Sequence, residues 1–146
     1  MGLSYVTKHL LDVSVSTLVI PVNCRGVAGR GLALAAKERY PNWFHIYRAC
    51  CQYGELRVGR PLLHWGMEPM MVSFPTKDDW RFPSRLEWIG MGLVALRGLI
   101  VKHGLSEIAV PKLGCGAGGL CWERVQPLIE EQLSSLSCEV LVCISG

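Results

Sequence analysis

Lysine, asparagine and glycine at the ends of apolar runs are the residue types in this chain whose placement could do chemistry. Asn23 follows Val19-Ile20-Pro21-Val22 and opens a segment in which Gly26, Gly29 and Gly31 alternate with Val27, Ala28 and Arg30. Glycines there allow positive φ and leave no Cβ between the backbone and its neighbour, which suits a loop whose N–H groups point at an anion. A second such segment, Gly114-Cys115-Gly116-Ala117-Gly118-Gly119-Leu120, follows the apolar run that ends at Val110-Pro111. Two glycine loops, one early and one late, read as two walls gripping a diphosphate. Lys77 stands after Phe74-Pro75-Thr76. In a partly desolvated cleft its pKa falls and the neutral amine becomes a nucleophile; still charged, it would assist a departing group. The spacing leaves both roles open.

These residues act together only if the intervening elements bring them to one place. Strands are expected over 3–7, 18–22, 62–65, 70–74, 107–110 and 139–144, with Pro75 closing the fourth. Helices are expected over 31–40, stopped by Pro41, over 43–53 with Asn42 as cap, from Pro83-Ser84 to Gly104, and over 122–133. Alternating strands and helices imply an α/β fold with a helix-covered, largely parallel sheet. In such sheets ligands sit outside the carboxyl ends of the strands, so Asn23, Pro75-Thr76-Lys77 and Lys112-Leu113-Gly114 are expected to face one cleft.

At 146 residues, half of them hydrophobic, the chain fits one domain over 1–146 with no repeat or low-complexity segment. No apolar stretch approaches the length of a membrane span, and Met1-Gly-Leu-Ser-Tyr5 lacks the features of a signal peptide, so a soluble, cytoplasmic protein is expected. The seven cysteines include no C-x-x-C pair and the four histidines no ligand spacing, which excludes a sequence-evident zinc site and reads as reduced thiols used as small hydrophobes. Cys115 is read as unreactive in the same way. A net charge of +3 neither requires nor excludes nucleic acid. The late G-x-G-x-x-G does not make a dinucleotide domain, because only one strand remains after it and Glu139 begins that strand. Trp80, Trp88 and Trp122 read as packing groups rather than base-stacking platforms, while Arg25, Arg30, Arg81 and Arg85 are either surface charge or flank a cleft mouth.

Four stretches together resemble a macrodomain of the DarG branch, which is similar to the terminal ADP-ribose glycohydrolases. They are Asn23 to Ala33, Phe74 to Arg81, Pro83 to Ile89 and Val110 to Trp122. The resemblance implies a three-layer α/β/α fold with a mixed sheet that binds ADP-ribose, and an activity removing ADP-ribose from DNA bases, thymidine in particular, in reversal of a DarT-like toxin. It implies Lys77 and Asn23 as catalytic. The first loop, Gly26 to Gly31, and the second, Gly114 to Leu120, would be substrate and diphosphate loops, with Pro75 and Thr76 beside them. Adenine would be held near His9 and Leu10, where the family usually has Asp or Asn. Two further departures are Asp79, where the family often has histidine, and Cys121, where it often has aspartate. The resemblance implies no cofactor, and a monomer is expected. The chain ends soon after its last strand, so no further toxin-capturing domain is expected.

Cleaving an N-glycosidic bond builds oxocarbenium character at the anomeric carbon, which must be positioned while the leaving group is stabilised. Asp78 or Asp79 could activate water or orient Lys77, and either would hold the amine protonated. Two other readings stay open. One is an ADP-ribose reader without turnover, and the other a hydrolase of protein-linked ADP-ribose or O-acetyl-ADP-ribose.

Overall fold

The β-branched and apolar runs form a sheet whose central strands are buried on both sides and whose edge strands are partly exposed. A computed structural model describes residues 2–145; Met1 and Gly146, the ends of the expected domain, lie outside the described residues. The strands are β1 (Gly2–Val6), β2 (Thr17–Asn23), β3 (Leu62–His64), β4 (Met70–Lys77), β5 (Glu107–Pro111) and β6 (Glu139–Cys143). The helices are α1 (Gly31–Arg39), α2 (Pro41–Gln52), α3 (Leu86–His103) and α4 (Trp122–Leu133), with a short 3-10 turn at Leu10–Asp12. The sheet order is β1-β6-β5-β2-β4-β3. All neighbours are parallel except β3, which runs antiparallel to β4 at the edge.

Side chains alternate across this sheet and build two cores. On one face Val19, Val72 and Phe74 pack with Ile89, Leu93 and Leu96 of α3 and Val125 and Ile129 of α4. On the other, Leu18, Ile20, Val22 and Met71 pack with Ala36 of α1 and Trp43, Phe44 and Tyr47 of α2. The result is the expected three-layer α/β/α arrangement around a mixed sheet.

Three expected boundaries differ, each for a local reason. The fourth strand does not close at Pro75 but runs on to Lys77. Val22 pairs with Pro75 and Asn23 with Lys77, so Thr76 is an extra residue, a bulge at which the missing proline N–H is tolerated. Pro41 does not merely stop α1; it occupies the first turn of α2, where its absent N–H has no partner to lose, and Asn42 lies inside the helix rather than capping it. The third helix begins at Leu86, not Pro83, and ends as expected at Gly104, whose left-handed φ of 60° lets its N–H reach the carbonyls of Ile100 and Val101.

A buried polar chain ties the edge of the sheet to α2. Trp43 Nε1 donates to Ser73 Oγ at 3.1 Å, and Ser73 Oγ lies 2.7 Å from His64 Nε2. Burial pushes the His64 imidazole down to about 4, so it folds neutral beside the serine hydroxyl. Between the ordinary histidine pKa and that value the unfolded chain takes up a proton that the folded one refuses. Stability from this group is therefore full above pH 6.5 and declines toward pH 4, by up to about 3 kcal/mol. We expect the melting temperature to drop by several degrees between pH 7 and pH 4.5, and His64→Gln to remove most of that drop in calorimetry.

Candidate active-site cleft

The cleft exists because two central strands part. β2 and β5 pair only at Thr17–Ile108 and Leu18–Ala109, whereas β2 stays on β4 to its last residue and β5 stays on β6 to Pro111 and Cys143. Beyond Leu18 the sheet is split at its carboxyl ends. Pro21 and Pro111 stand on the two sides of the split and have no N–H to leave unpaired there. The cavity so formed has a volume of about 910 Å³.

One wall is the first loop and the start of α1, with Val27, Gly29, Arg30, Gly31, Leu32 and Ala33 lining the cavity. The α1 N-cap, Arg30, makes no side-chain capping bond, so the first-turn N–H groups and the positive end of the helix dipole stay available to an anion. The opposite wall is Lys112 and the second loop, Gly114 to Gly118. That loop is closed by Cys115 N–H to Lys112 O, Gly119 N–H to Gly116 O and Leu120 N–H to Gly114 O. Among the described residues the N–H groups of Gly116, Ala117 and Gly118 take no part in those backbone bonds. His9, Leu10, Cys143 and Ser145 close one end, and Asn23, Thr76, Lys77 and Trp80 stand at the other strand ends. Three cationic side chains, Arg30, Lys77 and Lys112, line the cavity, and no carboxylate does among the described residues.

Asn23, almost wholly buried, braces the first loop. Its Nδ2 donates to Val27 O at 2.7 Å, while Oδ1 accepts from Arg25 N–H at 2.9 Å and from the Tyr47 hydroxyl at 2.9 Å. Nδ2 keeps a second amide hydrogen, and Asn23 is among the residues that line the cavity. Lys77 Nζ donates to Trp80 O at 3.3 Å, and burial first, then the nearby Arg30 charge, lower its pKa from the ordinary value. Neither neighbouring carboxylate holds it. Asp79 is buried and takes two bonds from the Arg81 guanidinium, at 3.0 and 2.6 Å, which hold its carboxyl well below the usual range. Arg25 reaches both Asp79 and Asp78, at 3.6 and 3.8 Å. The expectation that Asp78 or Asp79 orients Lys77 is thus replaced: they organise arginines instead.

His9 Nδ1 accepts the Leu11 N–H at 3.2 Å and caps the 3-10 turn, which leaves Nε2 to donate. Five expected site residues do not line the cavity. Gly26 is set against Arg48 and Cys51, Ala28 is buried in the α2-side core, Pro75 is enclosed in β4, and Gly119 and Leu120 close the second loop behind its wall. Burial pushes the Cys115 thiol up, in keeping with an inert side chain. Cys121 is exposed and outside the cavity, and all seven cysteines are free. Sequence reasoning missed Leu32 and Ala33, whose helical position conceals that they head the anion wall, and Trp80, read as packing but 47% exposed.

A family model described as Macro domain matches residues 19–129, from β2 through most of α4. The chain belongs to the macro domain family. It is 39% identical over 128 residues to a DNA ADP-ribosyl glycohydrolase of Mycobacterium tuberculosis, covering 85% of this chain and 36% of that protein. It is 37% identical over 138 residues to the DNA ADP-ribosyl glycohydrolase of Thermus aquaticus, covering 92% and 38%. This macro domain therefore spans under two-fifths of the length of these curated relatives. Among solved structures, the macrodomain of Thermus aquaticus DarG superposes with a TM-score of 0.91 at 37% identity, covering 97% of each chain. Thermosipho africanus DarTG in complex with ADP-ribose superposes at 0.93 and 32% identity, over 98% of this chain and 41% of that one.

Gly118 offers a direct test of the second wall. A Cβ there would fall inside contact distance of Gly114 O and of the buried Ser84 Oγ. We expect Gly118→Ala to weaken ADP-ribose binding at least tenfold in calorimetry, with circular dichroism unchanged.

Proposed function

We propose that this macro domain hydrolyses the glycosidic bond joining ADP-ribose to a base of DNA, thymidine being the expected carrier. What carries the reading is Lys77: an amine with lowered pKa, not engaged by Asp78 or Asp79, at the mouth of a cavity with two anion-cradling walls. The activity for which the relatives are named, DNA ADP-ribosyl glycohydrolase, supports the same substrate class.

In this reading the diphosphate lies between the α1 N-terminus and Gly116-Ala117-Gly118, where backbone donors and the Arg30 and Lys112 charges meet it. Adenine lies toward His9 and Leu10, and the distal ribose toward Asn23 and Lys77. The neutral Lys77 amine attacks the anomeric carbon as the bond to the base breaks; the base leaves with the electron pair and takes up a proton. Water then attacks that carbon and frees the lysine. In the alternative role the ammonium stabilises the departing base while water attacks directly. Asn23 holds the loop and turns one amide hydrogen to the ribose.

A monomer in the cytoplasm, where free thiols persist, fits this role. A relative in Thermosipho africanus, named a DNA ADP-ribosyl transferase-DNA ADP-ribosyl glycohydrolase fusion protein, supports a DarT-like transferase as the source of the modification and an antitoxin role for this domain. A second reading, binding without turnover, is favoured by one observation, the lack of any carboxylate lining the cavity among the described residues.

Purified protein should release ADP-ribose from a thymidine-modified oligonucleotide, and Lys77→Ala should lower the rate by at least a hundredfold. Tight ADP-ribose binding with no release from modified DNA would leave the reader, and faster release from modified protein would reassign the substrate. If Lys77 is the nucleophile, kcat rises with pH as the amine loses its proton. Arg30→Ala, by removing a neighbouring positive charge, then moves the rising limb to higher pH. A rate that falls as pH rises identifies the ammonium role instead.

A further inference from the structure

The segment between β4 and α3 carries features that the cavity chemistry does not use. Trp80 and Phe82 expose 47% and 62% of their surface on one turn, although large apolar rings normally turn inward. The turn is built firmly. Phe82 N–H reaches Asp79 O at 3.2 Å, Arg81 N–H reaches Asp79 Oδ1 at 3.0 Å, and Lys77 Nζ holds Trp80 O. Its two ends are anchored to the glycine loops, by Cys24 N–H on Asp78 O and by Ser84 N–H on Gly118 O. The rings are thus displayed on a supported rim.

Their surroundings are cationic. The Arg81 guanidinium lies 5.8 Å from the Trp80 ring centre and 6.0 Å from that of Phe82, so the turn presents ring, cation and ring in succession. Arg25, Arg81 and Arg85 are each more than half exposed, and with Arg30 and Lys77 they outnumber the local Asp78, Asp79 and Glu87. Asp79 fixes Arg25 and Arg81 in place while leaving outer edges of both guanidinium groups to solvent. Trp80 also lines the cavity, so the platform is continuous with the place where the modified base would leave.

We propose that Trp80, Arg81 and Phe82 form a stacking platform for the nucleotides flanking the modified base in single-stranded DNA, with Arg25 and Arg85 meeting the backbone phosphates. The proposal rests on the nucleic-acid substrate reading above and adds that a strand, rather than a modified nucleoside alone, is what the surface recognises. Aromatic faces accept any unpaired base, and the adjacent arginines supply the charge that tracks a phosphate backbone. An ADP-ribosylated peptide has no row of flat bases to occupy the rings.

Release would be compared on a five-nucleotide single strand modified at its central thymidine, on ADP-ribosyl-thymidine alone, and on an ADP-ribosylated peptide. The strand should show kcat/KM at least tenfold above the nucleoside. Phe82→Ala should lower the strand value five- to fiftyfold and leave the nucleoside value unchanged, and Phe82→Trp should restore it. Equal values for strand and nucleoside, or an equal loss on strand and peptide in Phe82→Ala, would overturn the platform. If the wild type releases nothing from any substrate, the hydrolase reading fails by itself. The platform is then judged by tryptophan fluorescence with an unmodified oligothymidine. Saturable, salt-sensitive quenching that weakens in Phe82→Ala supports it, and no quenching by the wild type rejects it.

Discussion

The early parting of β2 from β5 is the constraint on which the rest depends. Two paired residues hold those strands together at the amino-terminal end, and each is then committed to its other neighbour. A sheet that kept this register to the end of β5 would bring Ile20 and Pro111 together and leave no room between them. Because it opens, residues far apart in the chain share one cavity: the heads of a loop and a helix on one side, a second loop on the other, and Lys77 at the rim. Parallel strands make this possible by delivering their carboxyl ends, and the segments that follow, to the same edge.

Charge within that opening is sorted. Cations line the cavity, and the two acids closest in sequence to Lys77 are taken up by arginines outside it. Asp79 is the clearest case: one enclosed carboxylate receives two guanidinium groups and so forms no ion pair with the lysine two positions before it. An amine spared a carboxylate and placed near Arg30 has reason to shed its proton, and the same cationic field attracts a diphosphate.

Much of this was legible in the sequence, and the limits were local. The strand and helix order, the two glycine loops and the convergence of Asn23, Lys77 and Gly114 follow from apolar runs that end in glycine or polar residues. Pro75 misleads because a proline normally ends pairing, whereas here a bulge at Thr76 absorbs it. Pro41 misleads because one residue serves both as the barrier after α1 and as the start of α2. Trp80 could not be separated from core tryptophans by composition; only the fold shows that the turn bearing it faces outward. His9 stands where the resemblance leads one to expect a carboxylate or amide; its Nδ1 is taken up by the Leu11 N–H of the 3-10 turn, a role the sequence did not announce.

The anchoring of residues 78–84 has a mechanical consequence. One end of this short strap grips the early loop at Cys24 and the other grips the late loop at Gly118. The two jaws of the cavity are therefore not independent flaps but parts of one clasp, whose gape is limited by the span of seven residues. A guest that forces the jaws apart must open the turn within the strap at Asp79 and Phe82 or break a backbone bond at one of the two rivets.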